Sequence, residues 1–465
     1  MPLCLITLRE YGEAPIRYTL TDLVSAAGIP AERLAQRLKE LVSLRPVLAD
    51  GKIAIEAGSG VGTIQVGDLR VDVQPRLAAA EMVTLIRYAY GGDLGWQRSE
   101  IGLDRVGLDE LLCIVLADEL SSLRQKGLSR QYVNQREKLE VMRGRPDFLA
   151  SFPWNDKGMT NITCRYHELT CDNLDNQLVR AGLERAALMQ TRIATRRRLL
   201  EHLQVWKAIA STKNNPSVSV FTVARTRYTR LSEHYRLAHH LCELVLAAQT
   251  PYSIYTSGSV VTSGLCLDMA DLFELFVTRL LRELFADRGF TVAAQAPDRG
   301  AFLDAASQVY RRVRPDLVVF ERAAPVAVID AKYKDYWKAD NDTGTPAKRI
   351  SNEDLYQLFF YSERLRNRYG LKKAPPAFII SPLPAADERE RAFVVQEQFR
   401  DVQWRAGTGV ADSSIQLVLL PLTDLLRSIR RSGSPGPEAA CLVQQIHPKL
   451  ARTHADADEV PAEPA

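Results

Sequence analysis

The chain has 465 residues, 46% of them hydrophobic and 25% charged, an ordinary globular composition with length for roughly two to four domains, each with its own core. Sixty Lys and Arg against 56 Asp and Glu leave a net charge of only +4, so charge alone does not announce a nucleic-acid partner. Cys4, Cys113, Cys164, Cys171, Cys242, Cys266 and Cys441 are scattered, odd in number and without C-x-x-C spacing, which points to a reduced cytoplasmic protein without structural zinc. The start, Met1 to Glu10, has no basic leader followed by a long apolar core, and no apolar run is long enough to span a bilayer; a cytoplasmic location and no membrane partner are expected.

Residues 1–85 read as a small α+β module, expected to dock a partner. A helical stretch runs from Thr21 through Leu44 with a break near Gly28-Ile29-Pro30, and alternating strands follow at Lys52 to Ala57, Gly62 to Val66 and Leu69 to Gln74. Val66-Gly67-Asp68-Leu69 is the hairpin turn between the last two.

Residues 86–255 read as mainly helical, with partner and DNA contacts; apolar residues recur at three-to-four spacing in Leu111 to Leu123, Leu174 to Leu203 and Leu231 to Leu246. Arg192, Arg196, Arg197 and Arg198 share one long helix, where Glu184 and Glu201 can balance them on a solvated face. Arg225, Arg227, Tyr228 and Arg230 interleave cations with an aromatic ring, which suits phosphate-backbone contact and makes the three arginines candidates for holding DNA. Arg143 and Arg145 fit a structural or intersubunit role. His234, His239 and His240 have neither an H-E-x-x-H pattern nor a cysteine partner and read as core or surface histidines.

Residues 256–430 carry the chemistry. An amphipathic helix opens at Leu267-Asp268-Met269 and runs to about Asp287, where Arg288-Gly289 stops it; a helical wheel puts Glu274 at the edge of the apolar face. A strand near Thr291 to Gln295 comes next. Then Arg314-Pro315-Asp316 precedes the strand Leu317 to Phe320, a charged, small-residue turn spans Glu321 to Pro325, and Val326 to Ile329 leads into Asp330-Ala331-Lys332. Side chains two apart on a strand share a face, so Asp330 and Lys332 point together. Two carboxylates and a lysine at the ends of adjacent apolar strands are what a hydrated Mg²⁺ and a phosphodiester require. Ser351-Asn352-Glu353-Asp354 caps a helix carrying Gln357 and Tyr361 one turn apart, and strands at Ala377 to Ile380 and Ile415 to Leu420 complete an α-β-β-β-α-β order with a short helix ending at Arg430-Arg431. Residues 431–465 are expected to be disordered beyond a short helical turn.

Two patterns are set aside. Arg145-Pro146-Asp147 repeats the first string, but no apolar strand ending in D-x-K or E-x-K follows, and it reads as a turn. Gly344-Thr345-Pro346-Ala347-Lys348 lacks the second Gly and the Ser or Thr of a phosphate loop, so no nucleotide-binding site is expected in this chain.

Glu274, Asp316, Asp330-x-Lys332 and the Gln357-x-x-x-Tyr361 helix resemble the PD-(D/E)xK nuclease superfamily, in particular its branch with a Q-x-x-x-Y helix. From about residue 10 to about residue 425 the chain is similar to the McrC family, the nuclease subunits of McrBC-type restriction systems. The strings that carry this are Val61-Gly62-Thr63-Ile64, Val73-Gln74-Pro75-Arg76, Arg143-Gly144-Arg145, Asp172-Asn173 with Asn176, and Leu267-Asp268-Met269 leading into Phe273-Glu274. The resemblance implies an α+β multidomain chain: a small N-terminal α+β module, a helical middle region and a C-terminal restriction-endonuclease-like core. It implies catalytic roles for Glu274, Asp316, Asp330 and Lys332, with Gln357 and Tyr361 supporting substrate. Mg²⁺ or Mn²⁺ would sit on Asp316, Asp330 and the Ala331 carbonyl, with Glu274 orienting a bound water or a second ion. The partners it implies are DNA, an McrB-like AAA+ GTPase ring and, because two strand cuts need two sites, a second copy of this chain. The expected activity is Mg-dependent endonucleolytic cleavage in a modification-dependent defence system. A stand-alone RecB-like nuclease, or a non-enzymatic NTPase activator or DNA-binding adaptor that retains the fold, are the alternatives.

Overall fold

The structure is a computed structural model that describes residues 4–11, 16–47, 51–92, 94, 106–151, 161–189, 191–211, 228–230, 232–247, 262–286, 288–295, 298–303, 309–334, 336–339, 346–348, 350–383, 402–404, 413–436, 439, 442–443 and 446. It divides into two compact units, one made of Met1–Tyr90, Leu94–Asp104 and Cys266–Ala465, the other of Gly91–Asp93 and Arg105–Leu265. The N-terminal module and the C-terminal core thus belong to one unit, although the whole second unit separates them in sequence. Both units are mixed α and β.

The first unit begins with β1 (Cys4–Arg9), β2 (Ile16–Tyr18), α1 (Leu20–Ala27), α2 (Ala31–Leu38), β3 (Val42–Val47), β4 (Lys52–Ala57), β5 (Gly60–Val66), β6 (Leu69–Gln74) and α3 (Ala79–Tyr90). Thr19 caps α1 by accepting from the Asp22 amide at 3.2 Å, and Gly28, left-handed at φ 66°, ends it. The expected helical reach to Leu44 is corrected: helix ends at Leu38, and β3 pairs antiparallel with β4, Val42 opposite Ala57 and Leu44 opposite Ile55. An alternation of Val42 and Leu44 was hidden behind the stronger 3.6-residue pattern that precedes it. The hairpin between β5 and β6 forms where the sequence places it. Glycine is required at its tip, because Gly67 has φ +57° and a Cβ there would lie 2.7 Å from the Ala27 carbonyl oxygen.

The second unit holds α4 (Leu108–Lys126), β7 (Gln131–Leu139), β8 (Arg145–Pro146), α5 (Phe148–Ser151), β9 (Ile162–Thr170), α6 (Leu174–Ala186), α7 (Ile193–Ile209) and α8 (Arg236–Ala247). Helices make up most of this unit's regular structure, and the sheet β7-β9-β8 is an addition that the sequence pattern did not announce, because β7 is too polar to show apolar alternation. Arg145-Pro146 is correspondingly a short strand rather than a turn, and Asp147 after it accepts from Arg165 at 2.6 Å and pairs with Arg136 at 3.0 Å. The amide of Ala150 and the guanidinium of Arg165 hold that carboxyl below its ordinary range. The helical spacing over Leu174 to Leu203 is carried by two helices, α6 and α7, with Arg192 at the start of the second. Asn173 caps α6 through the Asn176 amide at 3.1 Å, while the Asn176 side-chain amide donates to Ser129 and Cys171 carbonyls at 3.0 and 2.9 Å. The D-N-x-x-N string therefore builds the core of this unit.

The chain returns to the first unit on β10 (Thr262–Asp268), which joins the N-terminal sheet in the order β1-β6-β5-β10, with β1 parallel to β6. Then come α9 (Met269–Phe285), β11 (Phe290–Ala294), β12 (Asp298–Leu303), β13 (Val309–Val313), β14 (Leu317–Glu321), β15 (Ala324–Ala331), β16 (Trp337–Ala339), β17 (Pro346–Lys348), α10 (Asn352–Tyr369), β18 (Ala377–Pro382), β19 (Val402–Trp404), β20 (Ser413–Leu420) and α11 (Leu422–Ser432). Leu267 and Asp268 close β10 instead of opening the helix, because the Asp268 carboxylate accepts the Ala270 amide at 2.8 Å and caps α9. The main sheet runs β11-β14-β15-β18-β20-β19, antiparallel from β11 to β15, parallel from β15 through β18 to β20, with β19 antiparallel at the edge. The crossover from β15 to β18 is α10, as a parallel pair demands. Val318, Val328, Ile379 and Leu417 pack with Leu358 and Leu365 of α10. By strand alternation Leu317, Val319 and Ile329 turn to the other face. The β14–β15 turn is formed by Arg322 and Ala323, both at positive φ, 47° and 77°. Beyond α11, Ala439, Leu442, Val443 and Ile446 are buried at i, i+3, i+4, i+7 spacing, an apolar stripe in a segment expected to be disordered.

Gly67→Val is expected to lower the unfolding free energy by about 1–3 kcal/mol, the range for a side chain forced into the left-handed region. Chemical denaturation reads this directly, and an unchanged midpoint would mean that the Ala27 carbonyl does not constrain the hairpin.

Candidate active site

The end of β15 carries Asp330, which has no exposed surface (0%). Its Oδ1 has no hydrogen-bond partner, and Oδ2 faces the Lys332 ammonium at 3.0 Å, with the lysine side chain 20% exposed. The paired strand β14 begins just after Asp316, whose Oδ2 accepts from the Ala331 amide at 3.1 Å and whose carboxyl lies against that of Asp330. The Lys332 amide donates to Ile380 of β18 at 2.9 Å, which fixes the main chain as it leaves the sheet. Three of the sequence candidates are therefore together at one end of adjacent strands.

Glu274 lies at the rim of α9, partly exposed, where the helical wheel places it. Its Oε1 accepts from the Gln295 side-chain amide at 3.0 Å, while the Gln295 main-chain amide donates to the Asp316 carbonyl at 2.7 Å. Gln295 makes both bonds from a left-handed backbone, φ 45°, a conformation glutamine seldom adopts. Among the described residues no three His, Cys, Asp or Glu side chains form a group that could hold a metal, and Gln295 bridges Glu274 to the Asp316 main chain. On α10, Gln357 donates to the Tyr361 hydroxyl at 3.0 Å, and that hydroxyl donates to the Arg314 carbonyl at 3.1 Å, just before Asp316.

The electrostatics follow from burial. Loss of hydration, then the neighbouring Asp330 and Glu274 carboxylates, push Asp316 up to about 8, with Lys332 opposing. Burial disfavours the Lys332 ammonium, but Asp330, then Asp316 and Asp354, outweigh it and hold the lysine above its ordinary range. Burial also raises Tyr361, and the field of Asp330 and Asp316 adds to it.

Arg225 and Arg227 lie outside the described residues, as do Gly344 and Thr345 of the discarded loop; Arg230 is exposed in the second unit. Arg198 pairs with Asp118 and Arg197 with Glu201, so part of the arginine helix is engaged in local ion pairs. His239 is filled on both ring nitrogens, by Tyr228 at 2.8 Å and the Asp175 carbonyl at 2.9 Å. No helix among the described residues is long and apolar enough to cross a membrane.

Sequence reasoning missed Gln295, whose position directly after an apolar strand was its only local mark. It also read Asp354 as a cap alone. Asp354 does exchange hydrogen bonds with Ser351, and it further takes Lys334 at 3.1 Å and the Tyr336 hydroxyl at 2.7 Å. Burial works against that carboxylate, but Ser351, Tyr336 and Lys334 together hold it below its ordinary range.

A family model described as McrBC 5-methylcytosine restriction system component matches residues 55–371, more than half of the chain. The chain belongs to this family. Among solved structures, a half-complex from the tetradecameric assembly of Thermococcus gammatolerans McrB AAA+ hexamers with bound McrC matches with a TM-score of 0.51 and 19% identity, over 92% of this chain and 99% of that one. At that identity the likeness shows a shared fold. The Thermococcus gammatolerans McrBC complex matches with a TM-score of 0.40 and 20% identity, over 60% of this chain and 88% of that one. No curated protein matches the chain.

A carboxyl raised by burial favours the folded protein while it is protonated; that contribution is complete below the ordinary carboxylate range and is lost as pH climbs toward about 8, the value for Asp316. With chelator present, Asp316→Asn should therefore raise the thermal midpoint more at pH 8 than at pH 5. An equal change at both pH values would contradict the burial of this charge.

Proposed function

We propose that the chain is the DNA-cutting subunit of a McrBC-type restriction system, a Mg²⁺-dependent endonuclease with a PD-(D/E)xK centre that works with, and stimulates, an McrB-like AAA+ GTPase. Family membership and the fold it shares with the archaeal assembly support the setting. One observation carries the chemistry: Asp330, fully buried, with its carboxylate between the Lys332 ammonium and the Asp316 carboxyl. Such a charge arrangement costs stability and persists where a site needs it.

The donor set fits a hard divalent cation. Asp330 Oδ1 is a buried oxygen lacking a hydrogen-bond partner, and Asp316 is driven toward its protonated form by burial and by the carboxylate beside it, so a cation at the two would relieve both. Asp316, Asp330 and the Ala331 carbonyl would hold Mg²⁺ or Mn²⁺, with Glu274 supplying a further oxygen. When bound, the ion polarises the phosphodiester and makes a water molecule nucleophilic at neutral pH.

This chain's own residues do the rest. Hydrolysis joins the water oxygen to phosphorus, breaks one P–O bond and returns a proton to the leaving oxygen. Lys332, an ammonium at neutral pH because the carboxylates raise it, positions that water and donates to the phosphate oxygens as their charge grows. Gln357 and Tyr361, joined to each other and to the Arg314 carbonyl, present polar groups toward the DNA backbone or an ordered water. The reader of modified DNA and the motor would lie in the partner. A stand-alone RecB-like nuclease would need neither. An NTPase-activating or DNA-binding adaptor that keeps the fold without the chemistry would cut nothing.

Cleavage of methylated plasmid by the chain with an McrB-type GTPase, GTP and Mg²⁺ separates these. Asp330→Ala and Lys332→Ala should each slow cutting by about 10²–10³-fold or more while the variants still bind the GTPase. Retained cutting by either would place the chemistry elsewhere. The chain without its partner should cut little. Robust sequence-specific cutting by it alone would instead indicate an autonomous enzyme.

A further inference from the structure

We infer that Glu10, Tyr11 and Arg76, at the ends of β1 and β6, are positioning residues for Lys332, which makes the N-terminal sheet a working part of the nuclease centre; this rests on the role given to Lys332 above. The residue that connects them is Tyr333, buried and next in sequence to Lys332. Its hydroxyl donates to Glu10 Oε1 at 2.9 Å, and its carbonyl accepts from the Tyr11 hydroxyl at 2.6 Å. Two consecutive residues of the N-terminal module thus hold both the side chain and the main chain of one residue in the C-terminal core.

Arg76 fixes these two in turn. Its amide donates to Glu10 Oε1 at 2.6 Å, its Nε to the Glu10 carbonyl at 3.0 Å and its Nη2 to the Tyr11 carbonyl at 2.6 Å, and its guanidinium lies over the Tyr11 ring at 5.6 Å. The Tyr333 ring also packs against Phe273 at 5.6 Å, the residue before Glu274. One peptide further on, Ser381 donates to the Lys334 carbonyl at 2.7 Å.

Ordinary packing between two modules would bury apolar side chains. Here Glu10 is fully buried with Oε2 lacking a hydrogen-bond partner, and Tyr11 takes φ 48°, left-handed for a residue with a bulky side chain. Unfavourable burial at Glu10 and backbone strain at Tyr11 fall on the two residues that Arg76 braces and that hold Tyr333, and they mark a place held in position for a purpose. Lysine is a point charge on a flexible four-carbon stem, and its aim depends on the direction of the backbone that bears it. A reacting group must be held to within about 0.5 Å, which requires a rigid supporting shell. Residues 331–334 receive that support from β18, from α10 and from the N-terminal sheet.

The test uses Tyr11→Phe and Tyr333→Phe in the full-length chain, each losing one hydroxyl, with the GTPase, GTP, Mg²⁺ and methylated duplex. We expect kcat to fall by about 10²-fold, the scale of a misplaced reacting group, at unchanged KM and thermal midpoint. A second readout needs neither metal nor DNA: the NMR signal of the Lys332 side chain in ¹³C-lysine protein, assigned by its loss in Lys332→Arg, should shift in both variants. An unmoved Lys332 signal, or a kcat within about twofold of the unaltered chain, overturns the inference. If Tyr333→Phe lowers the thermal midpoint, Tyr11→Phe decides, since it alters a half-buried residue. Absence of cleavage by the unaltered chain would sink the nuclease reading itself, and the lysine signal would still decide whether the N-terminal sheet positions Lys332.

Discussion

Removing a carboxylate from water costs several kcal/mol unless its oxygens find partners. Asp330 is removed completely, at the end of the central strand pair of the C-terminal sheet, and the surrounding structure is arranged around that constraint. Lys332 supplies the counter-charge from the same strand end, Asp316 adds a second carboxyl that burial and repulsion leave hard to ionise, and α10 closes the α-helical face with Leu358 and Leu365. The Asp330 carboxylate acts on both neighbours, raising the Asp316 carboxyl together with burial and raising the Lys332 ammonium against it.

The supporting contacts come from distant parts of the chain. Gln295 ties Glu274 to the Asp316 backbone, Asp354 secures Lys334, and Glu10 reaches Tyr333 across 323 residues of sequence. Rigid supporting groups of this sort decide whether a constellation of charged side chains has a fixed geometry or merely shares a neighbourhood. By contrast, the Arg145-Pro146-Asp147 copy shows the same residue types in a different role: Asp147 is exposed to solvent-facing arginines, which satisfy it as a surface ion-pair partner.

Much of the main sheet was legible because its strands are continuous apolar runs bounded by turn residues, α9 because its apolar residues repeat at helical spacing, and α10 because Ser351 caps it. The grouping of Asp316, Asp330 and Lys332 was legible because strand alternation and a short hairpin leave little freedom. What could not be read has equally physical causes. Strand β7 is mostly polar, so its pairing with β9 is dictated by backbone hydrogen bonding that no side-chain pattern reveals. The turn at Arg322-Ala323 uses positive φ without glycine or asparagine. Ala439, Leu442, Val443 and Ile446 were overlooked because Gly433, Pro435 and Gly436 before them resemble the start of a disordered tail. Glu10 and Tyr333 have no local signature at all, since each is an ordinary residue until the fold brings the other to it.

The division of the chain has a kinetic consequence. The second unit is continuous apart from Gly91–Asp93, but the first is assembled from segments on either side of it. At about 5–20 residues per second on the ribosome, strands β1 and β6 emerge tens of seconds before Tyr333. The second unit can close its core during that interval, whereas the first must wait with an apolar sheet face uncovered. The charged centre is therefore completed late in synthesis, and a chain released early carries an N-terminal sheet without the segment it holds in place.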